Sequence, residues 1–184
     1  MIAIAGSVGF LTIVIALHFL QPFYDPVQQH MSELALGPHG SLMLMAFSSF
    51  AISVYSIQRG LRILRAPQIL RMILASAAIC LFGSGMVKLN SVPVLHVVLI
   101  ALAFLLLVIA MYLLPQTTPL FNSWSSRSMS WGLAAGTAFS VSLSGIIPEG
   151  ISQRAAAACM LVWLCWVGWR ILGAGKTHSV EPQR

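Results

Sequence analysis

Charge, and acidic charge above all, is what this sequence has least of: four Asp and Glu stand against ten Lys and Arg in 184 residues. With 8% charged and 58% hydrophobic residues, it falls far below the roughly 25% charge of a soluble domain. A mean hydropathy of +0.89 agrees. The shortage excludes a water-soluble globule and makes lipid the solvent for most of the chain. Cysteine is scarce as well. Cys80, Cys159 and Cys165 sit inside apolar runs, an odd number at no ligand spacing, which argues against a disulfide framework or a zinc site and leaves packing. Also absent are GxSxG, HExxH and CxxCH motifs and a phosphate-cradling glycine loop.

What is present is a series of long apolar runs, at 2–20, 41–57, 72–87, 92–114, 129–147 and 155–172. A helix needs about 20 apolar residues to cross roughly 30 Å of hydrocarbon. Lipid offers backbone groups no partners, so each run is expected to be helical. The third and sixth are short and need a thin bilayer or continuation into flanking residues. The first run has no basic segment before it and no small-x-small cleavage site after it, so it reads as a retained helix. The expected fold is all-α: an integral membrane six-helix bundle over 1–174, with a polar cytoplasmic tail at 175–184.

The basic excess invites a nucleic-acid reading, but its distribution rejects one. Arg59, Arg62, Arg65 and Arg71 crowd the link between the second and third runs, Arg127 lies in the next link on that side, and Arg170, Lys176 and Arg184 close the chain. Only Lys88 and Arg154 fall on the other side. This is the positive-inside pattern with both termini cytoplasmic. No nucleic-acid partner is expected.

On that topology the stretch YDPVQQHMSELALGPHG, 24–40, faces the exterior. It holds Asp25, Glu33, His30 and His39 and no lysine or arginine. Asp25-Pro26-Val27-Gln28 reads as a helix start with a capping acid, a first-turn proline and a glutamine completing a capping box. Gly37-Pro38 reads as the stop. A short interfacial helix over about 26–36 is expected, with Val27, Met31 and Leu34 on its apolar face. His30 and Glu33, or Gln29 and Glu33, can then meet on a neighbouring face. His18, Lys88, His96, Glu149 and Arg154 fall at the same end of the molecule. Polar groups at membrane depth need partners or a function, so that end carries the candidate chemistry.

The pattern HxLxPxYDPxxQxxSELxxGPxG, here His18-Phe19-Leu20-Gln21-Pro22 followed by YDPVQQHMSELALGPHG, resembles the bacterial membrane family called domain of unknown function 998 (DUF998). His96 at the start of the fourth helix, the GxxxR opening Gly150–Arg154 and the ending WLCWVGWR extend the resemblance over essentially the whole chain. The resemblance implies a multi-pass protein of the bacterial inner membrane and no established activity. Relatives often carry an acid near the end of the third helix, where this chain has Met86-Val87-Lys88-Leu89-Asn90.

Each candidate has a plain alternative. Asp25 is a catalytic acid or a helix cap; His30 with Glu33 is an acid–base pair or an exposed ion pair; Glu149 with Arg154 is a ligand site or the closure of the last helix. His18 and His96 lie deeper, as metal ligands with His30 or as neutral histidines bonded across helices. Gly132, Gly136, Ser140 and Ser144 form a small-residue stripe where a helix, of this chain or of a partner, can approach closely. Trp163, Trp166 and Trp169 are expected to face the membrane. The favoured reading is a membrane-lipid-binding protein. In it His30, Glu33, Lys88, His96, Glu149 and Arg154 receive a head group, and Asp25, Pro26, Gly37, Gly132 and Gly136 are structural. The alternatives are a metal-assisted lipid hydrolase or transferase using His18, His30 and His96, and an accessory subunit of a membrane complex. No cofactor is specified.

Overall fold

The computed structural model describes residues 1–87 and 89–178. Lys88 and the tail beyond 178 lie outside the described residues. The chain forms six α-helices: α1 (Ile2–Leu20), α2 (Leu42–Ile63), α3 (Gln68–Met86), α4 (Pro93–Thr117), α5 (Trp124–Ser142) and α6 (Glu149–His178). Two 3₁₀ turns, Met31–Ala35 and Pro119–Phe121, lie in the links, and there is no strand among the described residues. Consecutive helices pack side by side. α6 returns against α1, and α2 and α6 also meet.

α1, α3, α4 and α6 (over Glu149–Gly175) are long and apolar enough to cross a membrane. Their outward residues are apolar, among them Leu11 and Ile15 on α1, Ile79 on α3, Val98 and Leu105 on α4 and Val162 on α6. A water-facing monomer rarely shows so much apolar surface, so the chain is a multi-pass membrane protein. α2 and α5 are more polar because serines replace aliphatic side chains. Several of those serines are spent inside. Ser53 donates to the Ala3 carbonyl at 2.7 Å and lies 2.8 Å from the Ser7 hydroxyl, joining α1 to α2. Ser130 donates to the Met111 carbonyl at 2.6 Å and receives the Trp163 indole N–H at 2.8 Å, joining α4, α5 and α6.

That second network corrects one expectation. Trp163 is fully buried, and only Trp169 of the three tryptophans is well exposed, at 70%. Trp166 packs edge-on against Phe121, ring centroids 5.4 Å apart. The helices also run past several of the apolar runs. Helical hydrogen bonding is not limited to apolar side chains, so it continues until a cap, a proline or a tertiary contact intervenes.

The expected helix over 26–36 does not form as one element. Asp25 does act as a cap: its carboxylate accepts from the Val27 N–H at 2.8 Å and the Gln28 N–H at 3.3 Å. The reciprocal bond comes from Gln29, whose side-chain oxygen accepts from the Asp25 N–H at 2.8 Å, one residue later than expected. The turn then stops. His30 is extended (φ −63°, ψ 146°), and the 3₁₀ turn begins at Met31. The physical reason is competition for backbone donors. The N–H groups of His30 and Met31, which a continuing helix would direct to the Pro26 and Val27 carbonyls, go instead to the Glu33 carboxylate at 3.0 Å and the Gln153 side-chain oxygen at 2.6 Å. The Tyr24 hydroxyl adds bonds to the Gln29 and His30 carbonyls at 3.1 and 2.9 Å. Met31 and Leu34 are buried as expected, while Val27 stays exposed.

Candidate functional site

The polar residues of the first link gather around Arg154, on the second turn of α6. One guanidinium nitrogen donates to the carbonyls of Gln29 (3.2 Å) and Gly150 (2.8 Å). The other reaches His18 Nε2 at 3.0 Å and the Tyr24 hydroxyl at 2.5 Å. His18 Nδ1 lies 2.6 Å from the Val14 carbonyl, which only accepts. The ring is therefore protonated at Nδ1 and offers its Nε2 lone pair to Arg154. Tyr24 stands edge-on to His18 (5.1 Å) and lies under the guanidinium (5.5 Å). Burial pushes the Tyr24 phenol above its ordinary value of 10.0, although the Arg154 hydrogen bond pulls the other way. One arginine thus ties α1, the first link and α6 together.

Gly150 makes this approach possible. A Cβ there would lie 2.3 Å from the Pro26 carbonyl oxygen and 2.6 Å from those of Val27 and Gln29. These carbonyls converge on the N-terminus of α6, where the unpaired amides and the helix dipole favour negative partial charge. Gln153 adds a bond, its side-chain oxygen accepting from the Met31 N–H at 2.6 Å. Gln21, buried at the end of α1, donates to the carbonyls of Leu34 and Pro38 at 2.8 Å each. Gly37 gives that amide room, since a Cβ would lie 2.2 Å from its oxygen.

The two acids and His30 form a looser rim. Glu33 accepts from the His30 backbone N–H (3.0 Å) and the Gln29 amide (3.1 Å). The Gln29–Glu33 contact was legible in the spacing. The imidazole of His30 reaches towards Glu149, its Nε2 lying 3.9 Å from that carboxylate. Glu149 also accepts from the Ser144 hydroxyl. Arg154 makes no ion pair with it among the described residues.

His96 belongs to a different place. It is 3% exposed, in the first turn of α4, with Nδ1 3.1 Å from the Val87 carbonyl and its ring edge-on to Phe47. By the same carbonyl argument its Nδ1 carries a proton. Nε2 is buried with no hydrogen-bond partner among the described residues, a state that costs about 1–3 kcal/mol if nothing satisfies it. His96 is one of the residues around a cavity of about 490 Å³ between the first link and the near ends of α2, α3 and α4. Met43, Leu44, Phe47 and Leu89 supply apolar wall, and Ser41, Asn90 and His96 supply polar groups.

His18, His30 and His96 are thus engaged in three separate arrangements. Among the described residues no three His, Cys, Asp or Glu side chains come together to hold a metal ion. The small-residue stripe of α5 is divided. Gly136 faces Cys159 of α6, 3.1 Å from where its Cβ would be, whereas Gly132 has open space beside it. Ser140 bonds back to the Gly136 carbonyl at 2.8 Å, and Ser144 is taken by Glu149.

Tyr24, Gln21 and Gln153 were not singled out by residue type. The signal for the first two is position: both lie within the densely patterned segment 18–40. The opposite end holds a second arginine lock that was also missed. Arg170 donates to the Leu120 carbonyl (2.8 Å) and Ser126 hydroxyl (3.2 Å) and lies over Phe121. About 16 residues separate the two arginines, roughly 24 Å of helix axis at ~1.5 Å per residue.

Compared with known sequences, residues 4–170 match the sequence profile of a family described as a protein of unknown function (DUF998). No match was found among curated proteins or among solved structures.

Proposed function

The chain belongs to the DUF998 family, and on that premise we propose that it binds the head group of a lipid or similar amphiphile at the exterior end of a six-span protein of the bacterial inner membrane. Both termini then lie on the cytoplasmic side, as the arginine distribution favours. The observation that carries the binding reading is the cavity beside His96. Its volume, about 490 Å³, lies in the range of roughly 300–1,000 Å³ occupied by small-molecule sites. Its walls are mixed as an amphiphile requires, aliphatic and aromatic on α2 with polar groups at the helix ends.

Arg154 takes a different role from the anion anchor its charge invites. Four acceptors already engage its guanidinium, so recognition falls to His96, Ser41 and Asn90. Glu33, His30 and Glu149 form the neighbouring polar rim. The test is lipid mass spectrometry on protein purified in mild detergent, comparing wild type with Leu44→Trp, which narrows the cavity. A lipid class enriched in wild type and lost from the variant supports the reading. An unchanged lipid profile refutes it.

A further inference from the structure

Independently of the cavity, we propose that the outward face of α2 near its C-terminus receives an anionic glycerophospholipid. The guanidinium groups of Arg59 and Arg62 hold its phosphate, and Tyr55 and Ile52 lie along its acyl chains. All four residues are exposed. Their spacing of three, four and three residues places them on one stripe of the helix, while Phe50, Val54, Ile57 and Leu61 are buried on the opposite face. The stripe runs from aliphatic to phenolic to basic toward the helix end. A phospholipid presents its chains, its ester level and its phosphate in the same order, and tyrosine favours the middle level. Ile63, 82% exposed beside Arg62, widens the apolar flank.

Topology alone does not require this arrangement. The positive-inside pattern is satisfied by arginine anywhere in the link, whereas Arg59 and Arg62 are turned outward on the stripe that carries exposed apolar side chains. They are also uncommitted. Arg154 and Arg170 spend their donors inside the protein, but among the described residues no hydrogen bond or ion pair engages the side chains of Arg59, Arg62 or Arg65. Three of the chain's four acids, Asp25, Glu33 and Glu149, belong to the opposite end, and the fourth, Glu181, lies in the tail outside the described residues. One carboxylate cannot neutralise three arginines. Arg65 makes the same point through its backbone. It sits just past α2 at φ 55°, a left-handed position that glycine takes at lower cost, and it adds a third exposed guanidinium. The planar fork of arginine pairs with phosphate oxygens two at a time. Arg59 and Arg62 start about 4.5 Å apart along the helix axis, so both reach one phosphodiester. A second copy of the chain seated on this face would bring arginine against arginine across a two-fold axis, which favours lipid as the occupant.

The experiment uses the full chain in mild detergent, with phosphatidylglycerol and phosphatidylcholine of equal acyl chains as probes. Native mass spectrometry reads both bound lipid and oligomeric state. Each probe carries a phosphodiester, but the choline cation offsets its own. Wild type is expected to bind phosphatidylglycerol roughly ten-fold more tightly, the scale of two basic side chains near an anionic head. The preference is expected to vanish in Arg59→Gln/Arg62→Gln. Arg62→Gln alone should lower it about three-fold, and Arg127→Gln, also one charge, should leave it unchanged. The comparison of the two lipids on wild type stands even if a variant does not insert, and equal binding there overturns the proposal. Equal losses in Arg62→Gln and Arg127→Gln overturn the site in favour of diffuse charge. Leu44→Trp should leave the preference intact, so the cavity reading can fail without this one. A preference lost in Leu44→Trp instead places the lipid in the cavity and overturns the α2 assignment. A dimer made monomeric by Arg59→Gln/Arg62→Gln, with no lipid preference, gives the face to a second copy and overturns it as well.

Discussion

At the scale of single residues, Arg154 and Tyr24 are coupled closely enough that each predicts the behaviour of the other. Arg154 serves acceptors on α1, the first link and α6, so its removal should appear first as lost stability. Arg154→Met is expected to cost about 2 kcal/mol, the scale of charge-assisted bonds to partly buried partners. Arg154→Lys should recover little of it, because a single ammonium cannot span the fork of acceptors. Thermal unfolding in one detergent measures both, and a lysine variant as stable as wild type would refute the clasp. Tyr24 gives a pH dependence. Its phenol is raised above 10.0, by burial first. Below that pH both folded and unfolded chains hold the proton and the shift contributes no difference. As pH rises past it, the unfolded chain loses its proton first, so stability falls until the folded value is passed. Above about pH 10, wild type should lose stability more steeply than Tyr24→Phe; parallel curves would contradict this.

At the scale of elements, the decisive contact is the first link lying on the start of α6. A Cβ at Gly150 would strike three backbone carbonyls, and backbone moves less readily than a side-chain tip. Gly150→Ala should therefore cost about 1–3 kcal/mol, typical of overpacking. It should also make the link more open to protease, read as faster cleavage between α1 and α2. Gly132 is the control. Among the described residues nothing beyond its own helix turn lies within 4 Å of its Cβ position, so Gly132→Ala should be neutral or stabilise by about 0.5–1 kcal/mol through helix propensity. Destabilisation there would mean that another helix covers this part of α5, and would revive the partner reading of the stripe.

At the scale of the whole molecule, the arginines separate by side. Arg59, Arg62 and Arg65 are exposed at the α2–α3 link, the opposite end from the Arg154 cluster. The positive-inside pattern then predicts that Gln28→Cys is labelled by an impermeant maleimide in intact cells and that Arg62→Cys is labelled only after lysis. The reverse labelling would invert the topology and place the cavity in the cytoplasmic leaflet. The lengths of α1 and of the apolar part of α6, 19 and 27 residues, suit a bilayer of ordinary thickness with some tilt.

How much of this was legible follows from what hydropathy records. Apolar runs fix where the chain must be helical, and the arginines fix which links share a side, since both depend on position along the chain. α1 was therefore readable to the residue, and His18, His30, Glu33, His96, Glu149 and Arg154 could be placed at one end of the molecule. Rotation about each helix axis is a different variable, set by neighbours. It buried Trp163 on Ser130, sent Arg154 to His18 and Tyr24, and put His96 in a separate wall from His30. Hydrogen-bond competition was equally out of reach. Asp25 and Pro26 ask locally for a helix, and they obtain only one turn because Glu33 and Gln153 take the His30 and Met31 N–H groups. The sequence by itself determined the solvent, the number of helices and the polar end. Tertiary structure decided which polar groups lock the fold, because that depends on side chains more than a hundred residues apart, such as those of Arg154 and His18, arriving 3.0 Å from one another.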